Sequence, residues 1–223
     1  NSLLIGVPGA AGVVRVIDPL DGRSVDPGSA DVFWSVDSAS GSNCGYDMDV
    51  GVSLDGAEVV TMLVGCPGTN EGTHVVSWEG EVDWASDLND MSHRVGWGVD
   101  DSELPGEAVA TADFDGDGIL DVVMGARMDD MCGPGNCGSA YVFMGPITED
   151  KFAELADARI SGTDHFELLA HSVQTGDLNG DGYDELLISS DRGRASGEDL
   201  MTGSVLLYYG EELDGVMSDE DAF

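Results

Sequence analysis

Residues 113–121 read Asp-Phe-Asp-Gly-Asp-Gly-Ile-Leu-Asp, and residues 177–185 read Asp-Leu-Asn-Gly-Asp-Gly-Tyr-Asp-Glu. Oxygen-bearing side chains at positions 1, 3, 5 and 9 of a nine-residue loop, with glycine at 6, are what a hard cation needs. Calcium takes about six to eight oxygens at about 2.3–2.6 Å, and alternate residues of a tight loop can aim theirs inward. The first loop offers Asp113, Asp115, Asp117 and Asp121, with the backbone carbonyl of Ile119 at position 7. The second offers Asp177, Asn179, Asp181 and Glu185, with the backbone carbonyl of Tyr183. Glycine at position 6 allows a turn that residues with a Cβ resist. An EF-hand needs a glutamate at position 12 and a helix on each side. Position 12 is Met124 or Ile188, and the flanks are β-branched and apolar, so that reading fails. A plain Asp/Gly turn without an ion is the competing account.

The loops belong to a longer repeat. The apolar run behind each ends on a marker residue: Gly6, Gly65, Gly125 and then Ser189, at intervals of 59, 60 and 64 residues. A strand opened by glycine follows each marker, at 12–17, 72–77, 138–143 and 203–208. Short opening strands precede the loops at 49–54, 108–112 and 171–175. Weaker, more polar strands close the units at 30–36, 81–85 and 158–161. Residues 150–158 hold the one helical signal, good for a turn or two. Repeating units of four short antiparallel strands predict an all-β fold, a β-propeller of four-stranded blades. The loops would join the first and second strands of each blade. Residues 1–223 would form one propeller segment of about three and a half to four blades, with units at about 1–36 (partial), 44–85, 95–161 and 165–223.

The second unit tests the metal reading by contrast. Aligned on Gly65, its loop runs Ser53 to Thr61 and keeps an acid at only one ligand position, Asp55 at position 3. We expect calcium in the other two loops and none here.

The order strand, D-x-D/N-x-D-G-x-x-D/E, apolar strand, Gly-x-Pro and glycine-initiated strand resembles the FG-GAP repeat of integrin-alpha-type β-propellers. The Phe-Gly element would fall at Cys44-Gly45, Gly96-Trp97-Gly98 and His165-Phe166. Gly-x-Pro survives as Gly6-Val7-Pro8 and Gly65-Cys66-Pro67. The resemblance implies an extracellular module that binds protein partners or a second copy of itself. Family propellers have about seven blades, so the chain reads as a processed or excised portion of a longer protein. A second chain completing the ring, or a compact four-bladed ring closed with help from residues 210–223, are the alternatives.

Forty-four acids against eight bases give a formal charge of −36. Such a surface repels nucleic acid and anionic membranes, and attracts divalent cations and basic protein patches. The apolar stretch 3–14 is broken by glycine and proline and is too short to span a bilayer. Four cysteines fall into two local pairs, Cys132 with Cys137 and Cys44 with Cys66. Paired cysteines favour an oxidising, secreted or cell-surface setting. Two carboxylates about 5 Å apart repel by about 3 kcal/mol at an effective dielectric near 20. A bound cation reverses that sign and adds roughly 2.7 kcal/mol per site at a hundredfold excess over its Kd.

The four histidines are scattered, and no nucleophile elbow, phosphate loop or dinucleotide fingerprint appears. The chain therefore reads as non-catalytic, with recognition carried by loops such as 128–138 and 191–203. Met124, Met128, Met131 and Met144 are expected to fill core gaps, and Asp129-Asp130 to sit in a solvated turn. The tryptophans leave carbohydrate open as another ligand. Two other roles stay open: a structural protomer of a surface layer or filament, and the non-catalytic or substrate-binding part of a secreted hydrolase or lyase.

Overall fold

The computed structural model describes residues 3–7, 13–17, 34–35, 43–53, 58–68, 72–79, 92–97, 103–131, 135–192 and 202–222. The expected strands that fall among the described residues appear in the expected order and build four sheets. The first holds β1 (Leu3–Val7), β2 (Val13–Ile17) and β3 (Trp34–Ser35). The second is built on β4 (Met48–Val52), β5 (Val60–Cys66), β6 (Gly72–Trp78) and β7 (His93–Trp97). The third uses β8 (Ala108–Ala112), β9 (Asp121–Ala126), β10 (Ser139–Phe143) and β12 (Ala158–Ser161). The fourth contains β13 (Leu169–Gly176), β14 (Glu185–Ser190) and β15 (Ser204–Tyr208). All of these neighbours pair antiparallel.

Two further strands depart from the simple repeat. The connection between β10 and β12 contains β11 (Lys151–Phe152), which leaves its own sheet and pairs parallel with β7 of the preceding one. After β15, β16 (Gly215–Ser218) does the same to β12. The helical signal at 150–158 resolves into β11 and one 3-10 turn, Ala153–Leu155. The tail thus completes the third sheet instead of pairing with the first. Arg94 and Asp150 pin the first of these hooks. The Arg94 backbone N–H and guanidinium both donate to the Asp150 carboxylate, at 2.8–3.2 Å. The fourth strand of the second sheet is β7, and the stretch 81–85 lies outside the described residues.

The third sheet is buried on both faces, so β9 and β10 lack a polar alternation. Val109, Val122, Met124, Tyr141 and Phe143 pack against Leu63, Val75 and Val95 of the second sheet. Ala110, Val123, Val142 and Ile160 pack the other way, against Leu169, Val173, Leu186, Ile188 and Tyr208 of the fourth. Met124 is fully buried as expected, but Met131 is 54 % exposed and fills no core gap.

The marker glycines acquire a reason. A Cβ on Gly6, Gly65 or Gly125 would lie 2.0, 1.9 or 2.5 Å from the carbonyl oxygen of Gly45, Gly106 or Ala170, the corresponding residue of the next repeat each time. Gly45, Gly106 and Ala170 share a positive φ (79°, 80° and 64°). The Phe-Gly positions are therefore Cys44-Gly45, Pro105-Gly106 and Leu169-Ala170, and 96–98 and 165–166 do not fill that role.

The edge strand β8 is protected by carboxylates. Val109 and Thr111 N–H groups donate to Asp47 Oδ2 and Asp49 Oδ2, at 2.9 and 2.7 Å, from the preceding sheet. The next alternate N–H, of Asp113, donates to Asp184 Oδ2 of the following repeat at 2.8 Å. Three unpaired edge donors are thereby satisfied, which blocks pairing with a foreign strand.

Cys44 and Cys66 form the expected disulfide beside Gly45 and Gly65. Cys137 is disulfide-bonded as well, and Cys132, its expected partner, lies outside the described residues.

Gly125→Ala should cost about 3 kcal/mol or prevent folding, because backbone at Ala170 must move to admit the methyl; urea denaturation measures it. Glu167 is 3 % exposed, and burial followed by the nearby Asp219 charge pushes its carboxyl up to about 7. A raised pKa means that its contribution is full below the ordinary value and is lost as pH climbs through about 7. Glu167→Gln should flatten that fall in urea titrations between about pH 4 and pH 8.

Candidate metal centre

Both acidic loops are hairpin connections held by equivalent pairs. Ala112 faces Asp121 across β8 and β9, and Gly176 faces Glu185 across β13 and β14. The two turns also share their internal hydrogen bonds, 64 residues apart. Gly118 N–H donates to Asp113 Oδ2 at 2.9 Å, and Gly182 N–H to Asp177 Oδ2 at 3.1 Å. Asp117 N–H donates to Asp115 Oδ1, as Asp181 N–H does to Asn179 Oδ1. Ile119 N–H donates to Asp117 Oδ1, as Tyr183 N–H does to Asp181 Oδ1. Phe114 N–H donates to Asp121 Oδ2, as Leu178 N–H does to Glu185 Oε2, both at 2.8 Å. Short acidic side chains thus curl the backbone by capping its own N–H groups. Gly118 and Gly182 take φ values of 84° and 95°, which explains glycine at position 6.

The loops differ in what their remaining oxygens meet. Asp113, Asp115 and Asp117 each bring a carboxylate oxygen within 4.8 Å of the others. Asp113 Oδ1 is buried and has no hydrogen-bond partner. A buried carboxylate oxygen without a donor is costly, and a cation is the ligand that satisfies it. Burial, and then the charges of Asp117 and Asp115, raise the Asp113 carboxyl above its ordinary range. Asp121 is 1 % exposed, and burial, with a smaller push from Asp115 and Asp113, takes it to about 7. Its other oxygen accepts from Gly145 N–H at 2.8 Å, so Asp121 also ties the loop to the chain leaving β10. The first loop's donor set, all hard oxygens with one orphaned, suits calcium.

In the second loop Asn179 bridges the acids. Its Nδ2 donates to Asp181 Oδ2 at 2.7 Å and to Glu185 Oε1 at 3.1 Å. Asp177 Oδ1 accepts from the Gly180 and Asp181 N–H groups. The turn is therefore internally satisfied to a degree the first is not. The loops also touch: the Tyr183 ring packs on Gly116, and Asp184 N–H donates to the Asp113 carbonyl at 2.9 Å.

In the second sheet Gly51 faces Thr61 where Ala112 faces Asp121, so the span between equivalent positions is one residue longer, and pairing runs one step further, to Val52 and Val60. Ser53 N–H closes it on the Val59 carbonyl at 2.8 Å, while 54–57, including Asp55, lie outside the described residues.

Residues 105–143 and 169–208 match the FG-GAP repeat family. Both acidic loops lie within the matched segments. Each match begins at Pro105 or Leu169, one residue before the positive-φ residue that abuts the preceding sheet. The repeats and the antiparallel sheets fit a β-propeller-like, all-β class. No curated protein matches the chain significantly.

Some acids behave otherwise than their sequence context suggests. Asp129 is fully buried rather than solvated, accepting from Tyr141 Oη at 2.5 Å and Met131 N–H at 2.9 Å. Burial and that neighbour together raise the Tyr141 hydroxyl above its ordinary range. His171 Nδ1 meets Asp191 Oδ1 at 2.7 Å on the surface, and His74 Nδ1 meets Ser92 Oγ at 2.8 Å. Sequence reasoning missed Asp47, Asp49 and Asp184, whose only signal was an acid at alternate positions of an opening strand or after a loop.

Asn179→Asp should destabilise the chain by about 1 kcal/mol in chelator, since the amide's two donated bonds are replaced by repulsion. Added calcium should recover that loss; guanidinium denaturation with and without calcium reads both.

Proposed function

We propose that this chain is part of an extracellular β-propeller whose calcium ions are structural and whose loops bind a protein partner. The observation that carries the reading is the first acidic turn, where three carboxylates converge and Asp113 Oδ1 is buried without a donor. Asp113, Asp115 and Asp117 would hold the ion, with Asp121 and the Ile119 carbonyl completing the set. In the second repeat Asp177, Asn179, Asp181, Glu185 and the Tyr183 carbonyl would do so after the Asn179 amide turns its oxygen inward. The second sheet's loop would remain empty. Bound in the two acidic loops, calcium would supply fixed positive charge that cancels the mutual repulsion of the carboxylates.

The four sheets are read as blades of one ring segment, three and a half to four in number. The Cys44–Cys66 disulfide supports an oxidising compartment. Among the described residues, no helix is long and apolar enough to cross a membrane. FG-GAP repeats support a binding or adhesion role rather than catalysis. A charge of −36 directs that role toward basic or cation-bridged partners.

Thermal unfolding in calcium and in chelator tests the metal. Calcium should raise Tm by about 5–10 °C for each occupied site, from roughly 2.7 kcal/mol per site in a chain of this size. Asp113→Ala should lower Tm in calcium and remove much of the difference. Equal melting of the unmutated chain in both buffers would sink the structural-metal reading.

A further inference from the structure

A cleft of about 300 Å3 opens between the second and third sheets, beside the first acidic loop. Its lining is mainly apolar, with polar groups gathered on one side. The third-sheet side presents Ile119, Leu120, Pro146 and Ile147, and the second-sheet side adds Val59 and Val75 together with Ser53, Thr61, Ser77 and Glu79. Thr61 and Ser77 share a hydroxyl–hydroxyl bond of 3.0 Å, which leaves lone pairs on both oxygens. Ile147 and Thr61 are buried, while Ser77, Glu79 and Thr148 reach solvent.

We infer that this cleft receives a lysine side chain from a basic protein partner. A lysine combines a four-carbon apolar stem with a compact ammonium that has three donors. The stem fits the Ile119, Leu120 and Ile147 wall, and the ammonium lies across from it against Glu79 and the Ser77 hydroxyl. The volume is at the small end for ligand sites, which suits one side chain better than a whole molecule. Anions are excluded by Glu79 and by the chain's overall charge. A sugar would lack the aromatic stacking face that its apolar side requires, since among the described residues no aromatic ring lines the cleft. A purely apolar side chain would use the Ile119 and Ile147 surface but gain nothing from the Glu79 charge. The inference rests on the protein-binding reading and names what the surface recognises; Ile119 and Leu120 belong to the first acidic loop, so calcium is held constant throughout the test.

The test is a methyl NMR titration of the whole chain with Nα-acetyl-lysine N-methylamide, alongside its norleucine and Nε-acetyl-lysine counterparts. The lysine probe should produce saturable shifts at the Ile119 and Ile147 methyls, which weaken as salt is raised. The other two probes should not. Glu79 is exposed, so Glu79→Gln should leave the fold intact and weaken binding about tenfold. Ser77→Phe should abolish the shifts by filling the cleft. Equal response to norleucine, no saturable response at the two isoleucines, or unchanged affinity in Glu79→Gln would each overturn the inference. Failure of binding with the calcium-dependent Tm preserved would leave the structural-metal reading standing.

Discussion

At Gly6, Gly65 and Gly125 a carbonyl oxygen of the next repeat occupies the space that a methyl group would take. Contact of backbone against backbone sets how near successive sheets can come, and the side-chain layers are sized to match. Small residues such as Ala108, Ala110, Ala112 and Ala140 fill the face toward the fourth sheet, with Val123 and Ile160 between them. A close-packed interior tolerates little change in such spacing. The acidic turns inherit their positions from this frame, because each begins at the end of an opening strand whose far end makes the contact.

The acids fall into two physical classes. Asp47, Asp49, Asp121, Asp184 and Glu185 accept backbone N–H bonds and act as local structure, closing turns or covering the edge of β8. Asp113, Asp115 and Asp117 also cap their own turn, yet they gather charge that no basic side chain of the loop offsets. The second loop shows what a neutral substitution does. One amide at Asn179 turns mutual repulsion into two donated hydrogen bonds, and the same backbone path results. The shared turn geometry is thus a property of the Asp/Gly pattern, while the appetite for a cation depends on how many of its oxygens lack a donor.

Much of this was legible in the chain because the informative residues are contiguous. The nine-residue loops, the strands on either side and the marker glycines all repeat at nearly constant spacing. The Cys44–Cys66 bond followed from the hairpin those strands imply. The reason for the marker glycines was hidden, since the carbonyl they admit belongs to the next repeat. The loop register in the second sheet was also hidden: an ungapped alignment on Gly65 cannot show that pairing with β4 runs one residue out of step. Strands β11 and β16 carry too few residues for any periodicity, and their partners lie more than fifty positions away. Burial of Asp129 depends on Tyr141 across the turn, which no local pattern near 129 reports.

The outward strands β11 and β16 have a consequence for synthesis. The second and third sheets each take their outermost strand from the repeat that follows, so a growing chain cannot finish either one until much of the next has left the ribosome. The unfinished edge of β7 or β12 stays open during that interval. A break between β15 and β16 would therefore strip an outer strand from the third sheet, not from the fourth.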